Sequence, residues 1–349
     1  MAQSRRNFLH HLHPVRINRR TLHPATTLGL GVAGLTCLAV LLLSGLTLFL
    51  YYVPEQAVAY ERILHITTTL PYGRLLRNLH YVAANGLLIL AALHLTRVFL
   101  TGSYKERSLN WIYGLVLLML ILVANFTGYL LPWDQISYWA IKVGASLAAY
   151  FPLVGPGISR FFLGGDQVGE ETLLRSFALH ASVLPLLLLV FTALHLWRIR
   201  KDGGLAAPPQ DESQKLPAGP WLYRAETAVA LLTLAALIAL ALVLDAPLHE
   251  RADPLHPPNP AKAPWYFVGF QEMVSWSATF GGVVAPLVIG LFLLFAPWFD
   301  HSRSHPGLWF ARDRWGPNLA FITLALSQIA FIAVGLWLRG KNWQLQLPF

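Results

Sequence analysis

Seven long apolar segments constrain the fold of this chain more than any other feature. They cover residues 28–50, 79–100, 111–131, 179–197, 226–244, 281–298 and 319–338, numbered here as spans 1–7. Each is close to the ~20 residues that an α-helix needs to cross a ~30 Å hydrocarbon core. Strands of a membrane barrel would be about ten residues long with alternating polarity, whereas these runs are uniformly apolar. The sequence therefore predicts an all-α polytopic membrane protein.

The overall composition agrees with a membrane location. Hydrophobic residues make up 55% of the 349 residues and charged residues only 12%, whereas about a quarter of a soluble domain is charged. Lys and Arg are more numerous on the side that holds the N-terminus, which the positive-inside rule makes cytoplasmic. We expect a multi-pass protein of the inner membrane, whose charge of +9 reflects orientation and lipid contact and needs no nucleic-acid partner.

The chain divides at a Gly-, Pro- and charge-rich stretch after span 4. The predicted parts are a cytoplasmic arm (1–27), a four-helix module (28–199), a linker (200–222) and a three-helix module (223–349). Two long connections, 132–175 and 245–280, are rich in aromatic residues and proline. They predict either short helices in the membrane interface or lids over a lipid-facing pocket.

Four histidines lie inside otherwise apolar helices, where an ionisable group is costly and usually functional. His80 and His94 are fourteen residues apart on span 2, and His180 and His195 are fifteen apart on span 4. At 1.5 Å per residue these separations are about 21 Å and 22 Å, close to four helical turns. Spans 2 and 4 run in the same direction, so the sequence predicts an outer layer of His80 with His180 and an inner layer of His94 with His195.

Two imidazoles in each layer suit a six-coordinate iron whose other four ligands come from a porphyrin. Zinc would need a third or fourth ligand, with cysteine or carboxylate among them, and spans 2 and 4, which hold the histidines, offer none. The alternative reading is that the histidines are interhelical hydrogen bonders. The single cysteine excludes a cysteine-ligated iron–sulfur cluster within this chain.

Glycines repeat the same spacing on the other two helices of the module. Gly31 and Gly45 on span 1 are fourteen residues apart, as are Gly114 and Gly128 on span 3. Glycine permits close backbone approach to a flat ligand, although it also packs membrane helices against each other. The helix directions put Gly45 and Gly128 in the outer layer and Gly31 and Gly114 in the inner one. The shared register favours two haem b groups.

Three arginines lie where haem propionates could reach them. Arg77 precedes His80 by one turn, and Arg198 and Arg200 follow His195. The alternative is that these side chains extend to the membrane surface and bind headgroups.

The sequence resembles the cytochrome b family of quinol-oxidising complexes, both the bc1 and the b6f type. The similarity rests on the glycine pairs, "GRLLRNLH" before span 2, "FTGYLLPWDQISYWA" after span 3, "GGDQVGEETLLRSFALH" into span 4 and a Trp-Tyr motif before span 6. The fifteen-residue histidine spacing and "WRIRKDGG" are similar to cytochrome b6, and the three-helix module resembles subunit IV, here fused.

The resemblance implies a subunit that oxidises quinol at an outer site and passes electrons through two haems to an inner quinone site. Partners would be a Rieske iron–sulfur subunit and a c-type cytochrome in a dimeric complex. A cysteine on the first helix of cytochrome b6 carries an extra haem by one thioether, and Cys37 stands at the matching position. A buried free cysteine packed as a small apolar residue is the alternative.

The outer-site motif departs from the family at one position. The family's Pro-Glu-Trp-Tyr, whose Glu is thought to accept a proton, is replaced by "APWY", which ends in Trp265 and Tyr266. Proline cannot accept a proton. The candidates in its place are Glu272, Asp253, Asp134, or Tyr129 with water, although loop carboxylates are more often simply solvated. The departure suggests a different quinol, such as menaquinol.

Two other functions are compatible with parts of the sequence. A haem-bearing membrane anchor could relay electrons between quinone and a non-Rieske oxidoreductase, but such anchors have fewer helices and lack the second module. A transporter with buried histidines would leave the paired glycines unexplained.

Overall fold

The computed structural model describes residues 16–202 and 215–346. Residues 1–15 of the predicted cytoplasmic arm and residues 203–214 of the predicted linker lie outside these ranges, as do the last three residues. Within the described ranges, seven helices are long and apolar enough to cross a membrane. Their bounds, for spans 1–7 in order, are Leu30–Phe49, Gly73–Leu100, Ser108–Leu130, Glu170–Lys201, Trp221–Val243, Phe280–Phe299 and Arg312–Leu338.

These helices confirm the predicted polytopic all-α class and coincide with all seven predicted segments. Spans 2, 4, 5 and 7 begin several residues before the apolar runs do. The reason is that polar first turns, such as Gly73–Arg77 in span 2, continue the same helix without adding to its hydropathy. These helices are therefore longer than composition alone indicates.

Both long connections contain short helices. The first holds Gln135–Ala149 and Gly155–Leu163, and the second holds Trp265–Trp276. Asp134 caps the helix Gln135–Ala149 by accepting a hydrogen bond from the Ser137 N–H at 2.9 Å, and its other oxygen accepts from the His249 N–H at 2.9 Å. The two connections are thereby joined over one end of the helix bundle.

The spans pack in a defined order around the histidines. Span 1 packs along span 2 and span 3 along span 4, while span 5 packs against spans 1 and 2. The largest apolar core lies between spans 1, 2, 3, 4 and 5 and includes Cys37, Leu87, Ile121, Leu188 and Leu237. A short strand of the predicted arm, Arg16–Asn18, pairs antiparallel with Lys215–Pro217 of the predicted linker.

A buried ion pair also joins the two modules at the inner end. The Arg314 guanidinium of span 7 donates to Asp300 at 2.8 Å, to the carbonyl oxygen of Phe99 at 2.8 Å and to the hydroxyl of Tyr104 at 3.0 Å. Tyr104 in turn donates to Asp300 at 2.7 Å. Because every charge in this cluster has close partners, it fixes the second module against the connection between spans 2 and 3.

Candidate haem sites and outer cavity

The four histidines form two pairs in the predicted combinations. The ring centres of His80 and His180 are 6.0 Å apart, and those of His94 and His195 are 6.4 Å apart, with the two rings of each pair nearly perpendicular. A metal bonded to one nitrogen of each ring at about 2 Å would give a ring-centre separation of about 6 Å. Both pairs therefore have the spacing that two axial ligands of one metal need.

The hydrogen bonds of the outer layer leave one ring nitrogen of each histidine free to bind iron. The Ser44 hydroxyl donates to the carbonyl oxygen of Val40 at 2.7 Å, so its oxygen can accept the Nδ1–H of His80 at 2.9 Å. The Nδ1 atom of His180 donates to the carbonyl oxygen of Ala124 at 2.9 Å. Bonds of this kind fix the tautomer and orient the other nitrogen as a ligand.

Three of the four predicted glycines face a histidine of their own layer. A Cβ atom at Gly45 would lie 3.1 Å from the His80 ring, one at Gly128 would lie 2.5 Å from the His180 ring, and one at Gly114 would lie 3.6 Å from the His195 ring. Gly31 instead borders open space, with no atom within 4 Å of such a Cβ. The helices thus approach the rings at positions where a larger side chain would displace a ligand or a porphyrin.

The fifteen-residue spacing on span 4 has a local cause. Residues Leu179–Val183, which include His180, form a π-helical turn inside the span, followed by Pro185. A π-bulge adds one residue to a helix without adding a turn. Spacings of fourteen on span 2 and fifteen on span 4 therefore bring the histidines to the same two levels.

Within the described ranges, no group of three or more His, Cys, Asp and Glu side chains could hold a metal ion. A metal at either pair would need most of its ligands from outside the chain. A porphyrin supplies four such ligands in one plane, so the residues present fit haem b at both layers.

Sequence reasoning missed a cluster of buried polar side chains at the inner end of the bundle. Arg97 is 5% exposed, Arg107 is 6% exposed and Asn110 is 7% exposed. Arg97 lies one turn after His94, and the backbone of Asn110 lies beside the His195 ring. The clue in the sequence was the position of Asn110, four residues before Gly114 and therefore on the same helix face.

Two of the three arginines that the sequence did point to are engaged with protein groups. Arg77 is buried and donates to the carbonyl oxygen of Ala246 at 2.9 Å and to that of Pro247. Arg198 pairs with Asp202 at 3.0 Å, and Arg200 is exposed. Arg77 and Arg198 lie near the ends of the histidine layers, as expected, but both already have protein partners.

Cys37 is 1% exposed and belongs to the largest apolar core. A Cβ atom at Gly86 of span 2 would lie 3.6 Å from the Cys37 Sγ atom and 3.6 Å from Leu237. The thiol is thus covered by spans 2 and 5.

An apolar cavity of about 230 Å³ lies beside the outer layer. Its walls are the helix Gln135–Ala149, the segment 258–271 and Phe126 of span 3. Phe126 lies two residues before Gly128, which faces His180. The amide of Gln271 fixes one wall, since its oxygen accepts from the Ala263 N–H and its nitrogen donates to the Ala261 carbonyl oxygen, each at 2.7 Å.

The lining of this cavity includes none of the predicted quinone-site residues, which lie next to its wall in the sequence or behind it. Trp265 donates to the Asn85 side chain at 2.6 Å, and Tyr266 lies near Tyr129. Both aromatic residues of the APWY motif pack against the largest apolar core, immediately behind Pro264 in the cavity wall. Tyr129 is held from its backbone side, where its carbonyl oxygen accepts from Ser137 at 2.9 Å.

Glu272 does not line the cavity. It is 0% exposed, and its carboxylate accepts hydrogen bonds from Arg339 at 2.9 Å and from the indoles of Trp276 and Trp343, each at 3.0 Å. Burial raises the pKa of Glu272, but these donors, with Arg339 foremost, outweigh it and hold the pKa below its ordinary value. The carboxylate joins the helix Trp265–Trp276 to the C-terminal segment.

The other two carboxylates considered from the sequence also have partners. Asp134 is 3% exposed and caps a helix, as described above. Asp253 is partly exposed in the second long connection, where its carboxylate contacts the His256 ring at 2.7 Å. That contact is the main cause of the lowered pKa of Asp253.

The fold and these sites define a class: a polytopic membrane protein with two stacked histidine pairs between four helices and an apolar cavity next to one of them. Residues 21–203 match the family described as Cytochrome b/b6/petB, and residues 251–343 match that described as Cytochrome b(C-terminal)/b6/petD. The chain belongs to the cytochrome b family. It is an electron-transport haem protein of the membrane with an oxidoreductase role.

Individual relatives agree with this assignment. Cytochrome b6 of Acaryochloris marina (strain MBIC 11017) is 39% identical over 175 residues, which is 50% of this chain and 81% of that protein. Cytochrome b6 of Cyanidium caldarium is 40% identical over 170 residues, 48% of this chain and 79% of that protein. A chain of a solved hyperthermophilic respiratory Complex III is 28% identical with a TM-score of 0.79, covering 92% of this chain and 86% of that one.

Proposed function

We propose that this chain is the cytochrome b subunit of a respiratory or photosynthetic quinol-oxidising complex. The observation that carries the proposal is the pair of histidine layers, set about 20 Å apart along spans 2 and 4 with an apolar cavity beside the outer one. The proposed setting is the inner membrane with a cytoplasmic N-terminus. Proposed partners are a Rieske or other iron–sulfur subunit and a c-type cytochrome, in a homodimeric complex.

Two haem b groups complete the proposed centres, the first held by His80 and His180 and the second by His94 and His195. Bound there, haem b supplies one-electron redox chemistry at two levels of the membrane. The chain's part is to fix the ligands: Ser44 and the Ala124 carbonyl orient the outer histidines, and the neighbouring glycines keep the approach to the rings clear.

The outer cavity is the proposed site of quinol oxidation. Its lining is almost entirely apolar, which suits a quinone ring and the start of an isoprenoid tail. Oxidation of one quinol releases two electrons and two protons. One electron would leave to the iron–sulfur partner and the other would reach an inner quinone site, which contributes to proton translocation.

The proton path at this cavity differs from that implied by the family motif. Pro264 cannot accept a proton, and both oxygens of Glu272 are taken up by Arg339 and two indoles. We therefore assign Glu272 to positioning the cavity wall, and we propose Tyr129, Tyr266 and water as the first proton carriers. An exit would then lead to the outer surface near Asp253. A low-potential quinol such as menaquinol is the proposed substrate.

A single-thioether haem at Cys37 receives less support. The thiol is covered by spans 2 and 5, and a covalent haem would require that packing to open. A haem-stained denaturing gel decides this point, and we expect no covalently bound haem in this chain.

The membrane-anchor alternative is disfavoured because residues 251–343 match the C-terminal part of the family. The discriminating experiment uses the purified complex with an inhibitor of the inner quinone site. Addition of an oxidant should then cause transient reduction of haem b as quinol is oxidised at the outer site. If the haems stay oxidised under the oxidant pulse, the bifurcating function is wrong.

A further inference from the structure

The outer cavity has a charged residue in its otherwise apolar lining. Of the described residues that form its walls, Lys262 alone carries a charge, and it lies two residues before Pro264. That proline stands where the family motif has its glutamate, so the walls present a cation and no carboxylate. Polar groups in an apolar site are costly unless they are hydrogen-bonded, and they are the groups that orient a ligand there. Lys262 is therefore the side chain best suited to fix a ligand in this cavity.

One side chain fixes the backbone on both sides of Lys262. The amide of Gln271 accepts from the Ala263 N–H and donates to the Ala261 carbonyl oxygen, each at 2.7 Å. These two groups belong to the two peptide bonds that flank Lys262. The lysine therefore extends from a backbone that is held in place before any ligand binds, as a binding residue requires.

The ammonium of Lys262 has capacity for a further acceptor. Among the described residues, it donates a hydrogen bond to the carbonyl oxygen of Leu336 in span 7 at 2.6 Å. An ammonium group has three N–H donors. The bond to Leu336 holds the end of the side chain in place and leaves two donors for a ligand.

The charges around this part of the chain leave Lys262 without a counter-ion. Within residues 16–202 and 215–346, no carboxylate forms an ion pair with it. Glu272 on the following helix is paired with Arg339, and Lys142 on the neighbouring wall helix is exposed to solvent. Partial burial lowers the pKa of Lys262, as expected for a cation that lacks an anionic partner.

We propose that Lys262 binds an oxygen atom of the quinol in the outer cavity and stabilises the monoanion that forms when the quinol loses its first proton. This inference rests on the proposed function, since it requires quinol in this cavity. The first proton leaves to Tyr129, Tyr266 or water, and Lys262 keeps its own protons throughout. The monoanion then loses two electrons, to the acceptors already proposed, and its second proton, which leaves neutral quinone. The cavity thus promotes deprotonation with a cation instead of accepting the proton with a carboxylate.

The effect on quinol acidity has a definite sign. A positive charge favours the anionic form of a neighbouring acid, so Lys262 should lower the pKa of bound quinol. A hydrogen bond between two charged groups corresponds to a pKa change of about 1–2. The pH dependence of kcat reports groups in the enzyme–substrate complex. Removal of the charge should therefore move the rising limb of that profile to higher pH by about 1–2 pH units.

The test is the pH profile of kcat for a short-tailed menaquinol, measured on the purified complex with a soluble c-type cytochrome as electron acceptor. Lys262→Met and Lys262→Gln should show the shift to higher pH, whereas Lys262→Arg keeps the charge and should keep the wild-type profile. Lys142→Gln is the matched control, because it removes the same charge from an exposed lysine that does not line the cavity. Its profile should be unchanged.

A second readout needs no turnover. Infrared difference spectra of the complex with carbonyl-labelled menaquinone report hydrogen bonding to the quinone oxygens. A carbonyl that accepts from the Lys262 ammonium absorbs at lower frequency, so this band should move to higher frequency in Lys262→Met and stay in place in Lys262→Arg and Lys142→Gln.

Each outcome supports or overturns the inference. A purely structural lysine would change haem content or KM in Lys262→Met without moving the pH profile or the carbonyl band, and that result would overturn it. An equal shift in Lys142→Gln would also overturn it, since the general charge of this face would then be responsible. If Lys262→Met does not assemble, Lys262→Gln decides, because glutamine retains an N–H donor for Leu336. Absence of oxidant-induced haem reduction in the wild type would instead refute the proposed function.

Discussion

Replacing Gly128 by alanine should weaken binding of the outer haem selectively. A Cβ atom at this position would lie 2.5 Å from the Cε1 atom of His180 and 2.9 Å from its Nδ1 atom, well inside ordinary contact distance. The three nearest atoms all belong to the imidazole of His180, and movement of this ring would break its 2.9 Å bond to the Ala124 carbonyl oxygen. The substitution therefore displaces an iron ligand and adds no useful contact.

The expected size of the effect follows from packing energies. Overpacking a close contact costs about 1–3 kcal/mol, and the lost hydrogen bond adds about 1 kcal/mol. Taking the overpacking term alone, affinity for the outer haem falls by about 5- to 150-fold. The assay is the haem content of the purified complex, with reduced-minus-oxidised spectra to separate the two components.

A matched control is available in span 6. Gly290 is also a transmembrane glycine, but a Cβ atom there would meet nothing within 4 Å. Gly290→Ala should therefore retain both haems. If Gly128→Ala also keeps both components with wild-type affinity, the assignment of this glycine to the outer haem pocket is wrong.

Three further predictions concern hydrogen bonds and ion pairs. Ser44→Ala removes the hydroxyl that accepts a hydrogen bond from His80 and orients its ring. Affinity for the outer haem should therefore fall about 10- to 100-fold in a haem-retention assay, while the inner haem is retained. Arg314→Gln should cost about 3–5 kcal/mol of unfolding free energy by leaving Asp300 unpaired, measured by thermal unfolding. Burial raises the pKa of Asp300, but its donors lower it to about 2. The stability that ionised Asp300 contributes is therefore fully present above a pH of about 3.9, the pKa of an unfolded Asp, and is lost as the pH falls through about 2. The Arg314→Gln variant should lose this pH dependence. Glu272→Gln removes the ion pair with Arg339 and should raise the KM for quinol several-fold at unchanged haem content. An unchanged KM would contradict a positioning role.

The sequence was sufficient for the parts of the molecule that follow from periodicity. Apolar length located the seven spans, and repeats of fourteen residues placed the histidines and glycines in common layers, because helical geometry converts spacing directly into height. The extra residue between His180 and His195 could not be interpreted from the sequence. Its meaning depends on a π-helical turn, which has no clear signature beyond the proline at position 185.

Side-chain partners across modules were beyond the reach of the sequence. Glu272 follows the APWY motif closely in sequence, which made it a candidate proton acceptor, but its partner Arg339 is sixty-seven residues away. The burial of Arg97 and Arg107 was not predicted, because arginines at helix ends usually reach the membrane surface. Only tertiary packing reveals that both are buried beside the inner layer.

The most direct test of the account is the haem content of single histidine variants. The purified complex should contain two haem b groups per chain, with His80→Leu losing one spectral component and His94→Leu losing the other. Loss of the same component in both variants, or retention of both haems in either one, would contradict the assignment of these two histidines to separate centres.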